Sequence, residues 1–258
     1  VETQLATAQS LLLRPEYSNE SVVNAASNRP ARFAPNSIVT IYGKNLALNS
    51  WAISPDDLAR SFLPGVAAGV EVRYLGTRTP LFFVSPTQIN FLIPPDATAG
   101  TRTIYVRRDI VDGPTLTIRL DAEAPEIFRA PEGFAAATHA DGRIVTEAAP
   151  AEEDEVIVVY GTGFGPLKVS EQGVIVPQRA SEVIRAREFR VRLNGQELPP
   201  SAIFYVGVTP GFAGLYQINV RLPKPLPENP RFEIGVGGNW SADDVRLRTK
   251  KIATPAPL

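Results

Sequence analysis

Cysteine and methionine are both absent from the 258 residues, and histidine occurs once, at His139. Without cysteine the chain has no disulfides, no thiolate metal ligands and no thiol nucleophile. A single imidazole cannot assemble a typical zinc site or supply more than one catalytic dyad. An excess of either charge is also missing: 26 Lys and Arg stand against 27 Asp and Glu, for a net charge of -1. Bulk electrostatics therefore offer nothing to nucleic acid or to an anionic membrane. The apolar run Leu11-Leu12-Leu13 falls far short of the roughly 18 residues that a membrane span needs, so no membrane insertion is expected. The sequence opens on Val1 with no Met, as expected of a mature chain whose secretory signal has been removed.

What is present is strand-forming. Proline (24) and glycine (19) punctuate many short β-branched and aromatic runs, the sequence form of an all-β sandwich. "SIVTIYGKNLA" (37 to 47) reads as a buried strand that breaks at Gly43. In "GVEVRYLG" (69 to 76), Val70, Val72 and Tyr74 alternate with Glu71 and Arg73 at the period of a half-buried strand. "RTIYVRRD" and "PTLTIRLD" alternate likewise, with Asp112-Gly113 as the expected hairpin turn between them. "SPDDLARSF" (54 to 62) has an N-cap Ser54, Pro55 and two acids in its first turn, which predicts one short connecting helix. "RFEIGVGG" (231 to 238) and "DDVRLRTKKI" (243 to 252) are expected to close the chain as a strand pair.

The programme is written twice. Tyr42-Gly43 returns as Tyr160-Gly161 at an offset of 118, Gly76 as Gly195, Phe83 as Tyr205, and Gln88-Ile89-Asn90 as Gln217-Ile218-Asn219 at an offset of 129. A preserved order with a growing offset marks an internal duplication with insertions in the second copy. Residues 1–20 carry no period and read as an N-terminal arm or linker. The expected domains are 21–123 and 124–252, with 253–258 as a tail. In both copies the amides of Gln88 and Asn90, or Gln217 and Asn219, share one strand face opposite apolar neighbours. Their expected role is structural, satisfying the backbone of a neighbouring Pro- and Gly-rich loop that lacks a ladder partner.

"VVNAASNRPARFAPNSIVTIYGKNLA" (22 to 47), "VSPTQINFLIP" (84 to 94), "APEIF" (124 to 128), "VYGTGFGP" (159 to 166) and "VGVTPGFAGLYQINVRLP" (206 to 223) resemble an uncharacterised C-terminal module of secreted Acidobacteria proteins. That module in turn resembles tandem immunoglobulin-like domains of the IPT/TIG type. The resemblance spans about residues 22 to 248 and implies two secreted or surface-exposed immunoglobulin-like β-sandwiches with no assigned activity. The chain departs from the module's pattern at the acidic run Glu152-Glu153-Asp154-Glu155 and over 167 to 188.

Residues that suggest chemistry each have a plainer reading. Gly161-Thr162-Gly163-Phe164-Gly165 is glycine-rich like a phosphate loop, but Pro166 and the strand context leave no helix to follow, so a turn is expected. Glu152 to Glu155 lack the alternating spacing of a calcium loop and read as a solvated turn. Arg185, Arg187, Arg190 and Arg192 are interleaved with Glu182 and Glu188, as on a wet strand face, and no nucleic acid is expected there. Trp51 and Trp240, the two indoles, sit in loop-like contexts beside Asn49-Ser50 and Asn239, where they either plug the sandwich ends or stack on sugar rings. The expectation is a non-enzymatic, secreted or cell-surface module that presents loops and strand edges to a protein or polysaccharide, with no cofactor. A carbohydrate-binding module using Trp51 or Trp240 is the alternative. An enzyme built on His139, Asp141 and the 152 to 155 acids is the weaker one.

Overall fold

A computed structural model describes residues 13–30, 32–59, 63–169 and 176–250. The chain lays down β1 (Val22–Asn24), β2 (Ile38–Tyr42), β3 (Trp51–Ala52), β4 (Val70–Tyr74), β5 (Thr77–Arg78), β6 (Leu81–Val84), β7 (Gln88–Leu92), β8 (Gly100–Arg108), β9 (Val111–Asp112) and β10 (Leu116–Leu120). It continues with β11 (Glu126–Ile127), β12 (Ala137–His139), β13 (Val156–Thr162), β14 (Arg190–Leu193), β15 (Gln196–Glu197), β16 (Ile203–Val208), β17 (Tyr216–Arg221), β18 (Phe232–Val236) and β19 (Asn239–Trp240). The predicted helix is present as Pro55–Ala59; residues 60–62 of that expectation lie outside the described residues, as do 1–12, 170–175 and the tail.

Both halves are β-sandwiches of the immunoglobulin type. In the first, β1-β2-β7-β6-β3 faces β10-β8-β4-β5, the A-B-E-D and G-F-C arrangement once the two-residue ribbons are set aside. In the second, β12-β13-β17-β16 faces β15-β14-β18-β19. Every strand pair in these sheets is antiparallel, which lets one face of each sheet be dry and the other wet. One core is drawn from residues between Val22 and Leu120, a second from residues between Ile127 and Leu247. The fold is therefore all-β, two immunoglobulin-like sandwiches in tandem.

The duplication extends to defects in the ladder. β6 slips its register between Leu81 and Phe83 against β7, and β16 slips between Ile203 and Tyr205 against β17. A bulge at the same place in both copies re-aims the same side chains. The polar position on the first strand is also shared. Asn24 opposite Val39 in β1 is answered by His139 opposite Ile157 in β12, and both are buried.

Three expectations change. The hairpin between β8 and β9 turns at Asp109-Ile110, where Asp109 has φ 53°, and Asp112-Gly113 instead leads into β10. Glu71 is not on a wet face but buried at 8 % exposure beneath Arg73 and Arg78, with ion pairs of 2.5 and 2.6 Å. The closing strand is split: β19 pairs with β18 at Trp240, and the chain rejoins the ladder only near Arg246. In the gap the Ser241 hydroxyl accepts from the Ile234 amide at 3.1 Å, standing in for a strand carbonyl.

Candidate functional site

The two sandwiches meet through buried polar groups. Asn36 donates through Nδ2 to the Tyr216 hydroxyl at 3.0 Å, and that hydroxyl donates to the Gly165 carbonyl at 2.8 Å. The Ile38 amide of β2 donates to Thr162 Oγ1 of β13 at 3.0 Å, and the Thr162 hydroxyl in turn donates to the Gly214 carbonyl at 2.7 Å. The connecting segment is held as well: Glu123, with its side chain 5 % exposed, accepts from Arg185 at 2.8 Å, while Asn239 Nδ2 donates to the Glu123 carbonyl at 2.9 Å. The glycine-rich turn owes its composition to this junction. A Cβ on Gly163, at φ +77°, would lie 2.3 Å from the Ala124 carbonyl oxygen. These glycines let the turn lie against the chain between the sandwiches rather than around a phosphate.

Beside the connecting segment opens a cleft of about 240 Å³ lined by Arg32, Asp121, Glu126, Asn239 and Trp240 among others. Burial pushes the Glu126 carboxyl above the usual carboxylate range, against a hydrogen bond from the Ala242 amide. Asp244 lies nearby and takes Arg129 in a two-point contact at 2.6 and 2.9 Å, with Arg29 of the first sandwich at 2.5 Å. Hydrogen bonds from Arg129 hold the Asp244 carboxyl below its ordinary value.

The tryptophans are not in loops: each opens or closes a two-residue strand at a sheet edge. Trp51 pairs with Val84 and packs, half-buried, on the first core. The Trp240 ring lies across Gly235, whose missing Cβ would fall 2.5 Å from its Cδ2 and Cε3, and the Arg192 guanidinium stacks at 3.5 Å from the ring centroid. The ring is thus packed close on the Gly235 backbone and stacked by Arg192, and it also lines the cleft. Arg192, expected on a wet face, is half-buried by this contact and also pairs with Glu197 at 2.8 Å.

Among the described residues the duplicated amides bond to each other rather than to the backbone of a loop. Gln88 donates to Asn90 Oδ1 at 2.9 Å, Gln217 to Asn219 Oδ1 at 2.9 Å, and Thr40 to Asn90 at 3.1 Å. Each pair bridges along its own strand on a half-exposed face, next to Tyr42 or Tyr160 on the neighbouring strand.

His139 is engaged on both nitrogens, Nδ1 by Glu155 and Nε2 by the Ala149 carbonyl at 3.1 Å. The other acids of the run are separately committed. Glu152 pairs with Lys250, Glu153 accepts from the Leu226 amide at 3.2 Å, and Asp154 pairs with Arg221. Asp141 is taken by Arg143 at 2.7 Å and does not join the imidazole. Sequence reasoning missed the Tyr216, Thr162 and Glu123 contacts; the threonine and tyrosine carry no local signal that separates them from ordinary strand residues.

No protein-family model matches the sequence, and no curated protein matches it. Solved structures that resemble it include a surface glycan-binding protein, PbSGBP-B, of Prevotella bryantii, at 11% identity and TM-score 0.29, covering 83% of this chain and 37% of that one. The full extracellular region of plexin A4 matches at 11% identity and TM-score 0.31 over 95% of this chain and 19% of its own. Tandem Ig repeats of Dlar match at 10% identity and TM-score 0.24 over 93% and 96%. The chain thus spans well under half the length of the first two. At these TM-scores the fold assignment rests on the strand order and the two cores above.

Proposed function

We propose that the chain is a non-enzymatic interaction module of the cell surface or extracellular space, whose two sandwiches act as one stiff body that holds sheet faces and loops toward a protein or polysaccharide partner. The observation that carries this reading is the junction at Tyr216, where buried hydrogen bonds link Asn36 of one sandwich to Gly165 of the other. Such bonds are lost at a cost if the sandwiches separate, which favours a fixed angle over a free hinge. The engagement of both His139 nitrogens by Glu155 and Ala149 supports a structural histidine rather than a catalytic one. We assign residues 21–123 and 124–252 to the two domains, 1–20 to an arm and 253–258 to a tail. Tyr17 of the arm packs on the first core and donates to the Pro114 carbonyl at 2.7 Å. The resemblance to the Acidobacteria module supports secretion after loss of a signal peptide.

The test is incubation with soluble and insoluble polysaccharides, with retained protein and released reducing ends measured together. Retention without turnover, or neither, fits the module. Turnover that His139→Ala abolishes would sink it.

A second reading, carbohydrate binding through Trp240, is favoured by the cleft that it lines with Asn239, Asp121 and Glu126. It expects Trp240→Ala to lose polysaccharide retention. Trp51→Ala should keep it, because Trp51 packs on the first core.

A further inference from the structure

The ion pairs around the cleft beside the connecting segment leave one acid over. Asp244 is taken by Arg129 and Arg29, Asp121 by Arg32 and Arg119, and Glu123 by Arg185. Glu126, half-buried on β11 and lining the cleft, has no ion-pair partner among the described residues. Its Oε2 accepts from the Ala242 amide at 3.2 Å, and its Oε1 accepts from none of them. Burial is the largest influence on this carboxyl and raises its pKa. The Ala242 amide and the fields of Arg129 and Arg29, both bonded to Asp244, offset that only in part. A carboxylate taken from water without a counter-charge favours a cation beside it, because the pairing recovers part of the desolvation cost. Of the charged side chains that line the cleft, Arg32 is spent on Asp121, so the negative charge of Glu126 stands uncompensated.

The other walls say what carries the cation. Asn239 uses Nδ2 on the Glu123 carbonyl and keeps Oδ1 as an acceptor. Arg32, with its side chain 62% exposed, keeps guanidinium N–H groups beyond the one given to Asp121. Trp240 supplies an apolar wall. A plain alkylammonium chain would leave the acceptor of Asn239 and the donors of Arg32 unused, whereas a hydroxyl-bearing ring engages both. The volume of about 240 Å³ lies below the roughly 300 Å³ at which drug-sized ligands are held, and suits a single ring.

We propose that the cleft at Glu126, Asn239 and Trp240 takes an amino sugar, a pyranose unit of a polysaccharide whose free ammonium pairs with Glu126. The ring lies against Trp240, and its hydroxyls donate to Asn239 Oδ1 and accept from Arg32. This inference rests on the carbohydrate reading of the cleft and adds to it the class of sugar.

The experiment is calorimetric titration of the full chain with glucosamine oligomers, their N-acetylated counterparts and neutral glucose oligomers. The glucosamine oligomers should bind about tenfold or more tightly than the other two, as expected when a hydrogen bond gains a charge on both sides. Glu126→Gln keeps an acceptor for the Ala242 amide and should abolish that preference. Asp141→Asn removes the same charge outside the cleft and should leave the preference intact. Melting curves check that each variant is folded. Equal binding of all three oligomers, lost in Trp240→Ala, would keep the carbohydrate reading and overturn the amino-sugar inference. A preference that survives Glu126→Gln overturns it as well, and so does tighter binding of lysine oligomers than of glucosamine oligomers. No binding of any oligosaccharide overturns both.

Discussion

The Tyr216 hydroxyl stands between Asn36 and the Gly165 carbonyl, 180 residues from the first and 51 from the second, and joins the two sandwiches inside the protein. The ring is fully buried, and that burial pushes the phenol well above its ordinary pKa, so it stays neutral and able to donate. Tyr216→Phe keeps the ring's contacts with Phe164 at 5.2 Å while leaving Asn36 Nδ2 and the Gly165 carbonyl without their partner. The expected loss is about 1 to 3 kcal/mol, read from denaturant unfolding at unchanged slope.

Gly214 makes the same junction close. Its φ of +68° and the 2.6 Å approach of Leu92 to its missing Cβ leave no room for a side chain. Gly214→Ala should cost about 1 to 3 kcal/mol through overpacking, with backbone strain in addition. Hydrogen exchange should locate the effect: the Ile38 amide, bonded to Thr162 across the junction, should exchange faster, while the Val159 amide inside the second core should follow only the global loss. Equal acceleration of both, or no change at Ile38, would argue that the junction is not set by this glycine.

The sandwiches were legible in the sequence because their signals are local. Alternation in β10 puts Leu116, Ile118 and Leu120 inward, and the repeated Tyr-Gly and Gln-x-Asn marks fall on paired strands in both copies. The junction was not legible, because Asn36, Thr162, Tyr216 and Glu123 come together only through tertiary packing and follow no period. The amides show where local reasoning stops. Their shared face was predictable from the period of two, but their mutual bonding depends on rotamers. Trp240 was misplaced for a related reason: the strand it closes is broken at Ser241, so its flanks look like a loop.

His139 occupies the strand position that Asn24 holds in the first copy, so its chemistry is that of a buried polar strand residue. His139→Ala leaves the Glu155 carboxylate and the Ala149 carbonyl without the ring. The expected cost is about 1 to 3 kcal/mol of stability, measured by thermal and denaturant melts. An unchanged melt would remove the structural account of this residue.

Asp244 makes the junction sensitive to acid. Arg129 holds its carboxyl below the ordinary value, and Arg29 reaches it from the first sandwich. A depressed folded-state pKa means that the unfolded chain takes up the proton first. The contribution of Asp244 is therefore complete above the unfolded carboxylate pKa of about 4 and is lost as pH falls through the folded-state value. Asp244→Asn should lower the urea midpoint at neutral pH, and the gap between wild type and variant should close progressively below about pH 4. Other acids with depressed values, Glu71 and Asp112 among them, lose stability over the same range in both proteins, so the difference between the two curves isolates Asp244. A gap that persists unchanged into acid would mean that the variant acts through packing and not through charge.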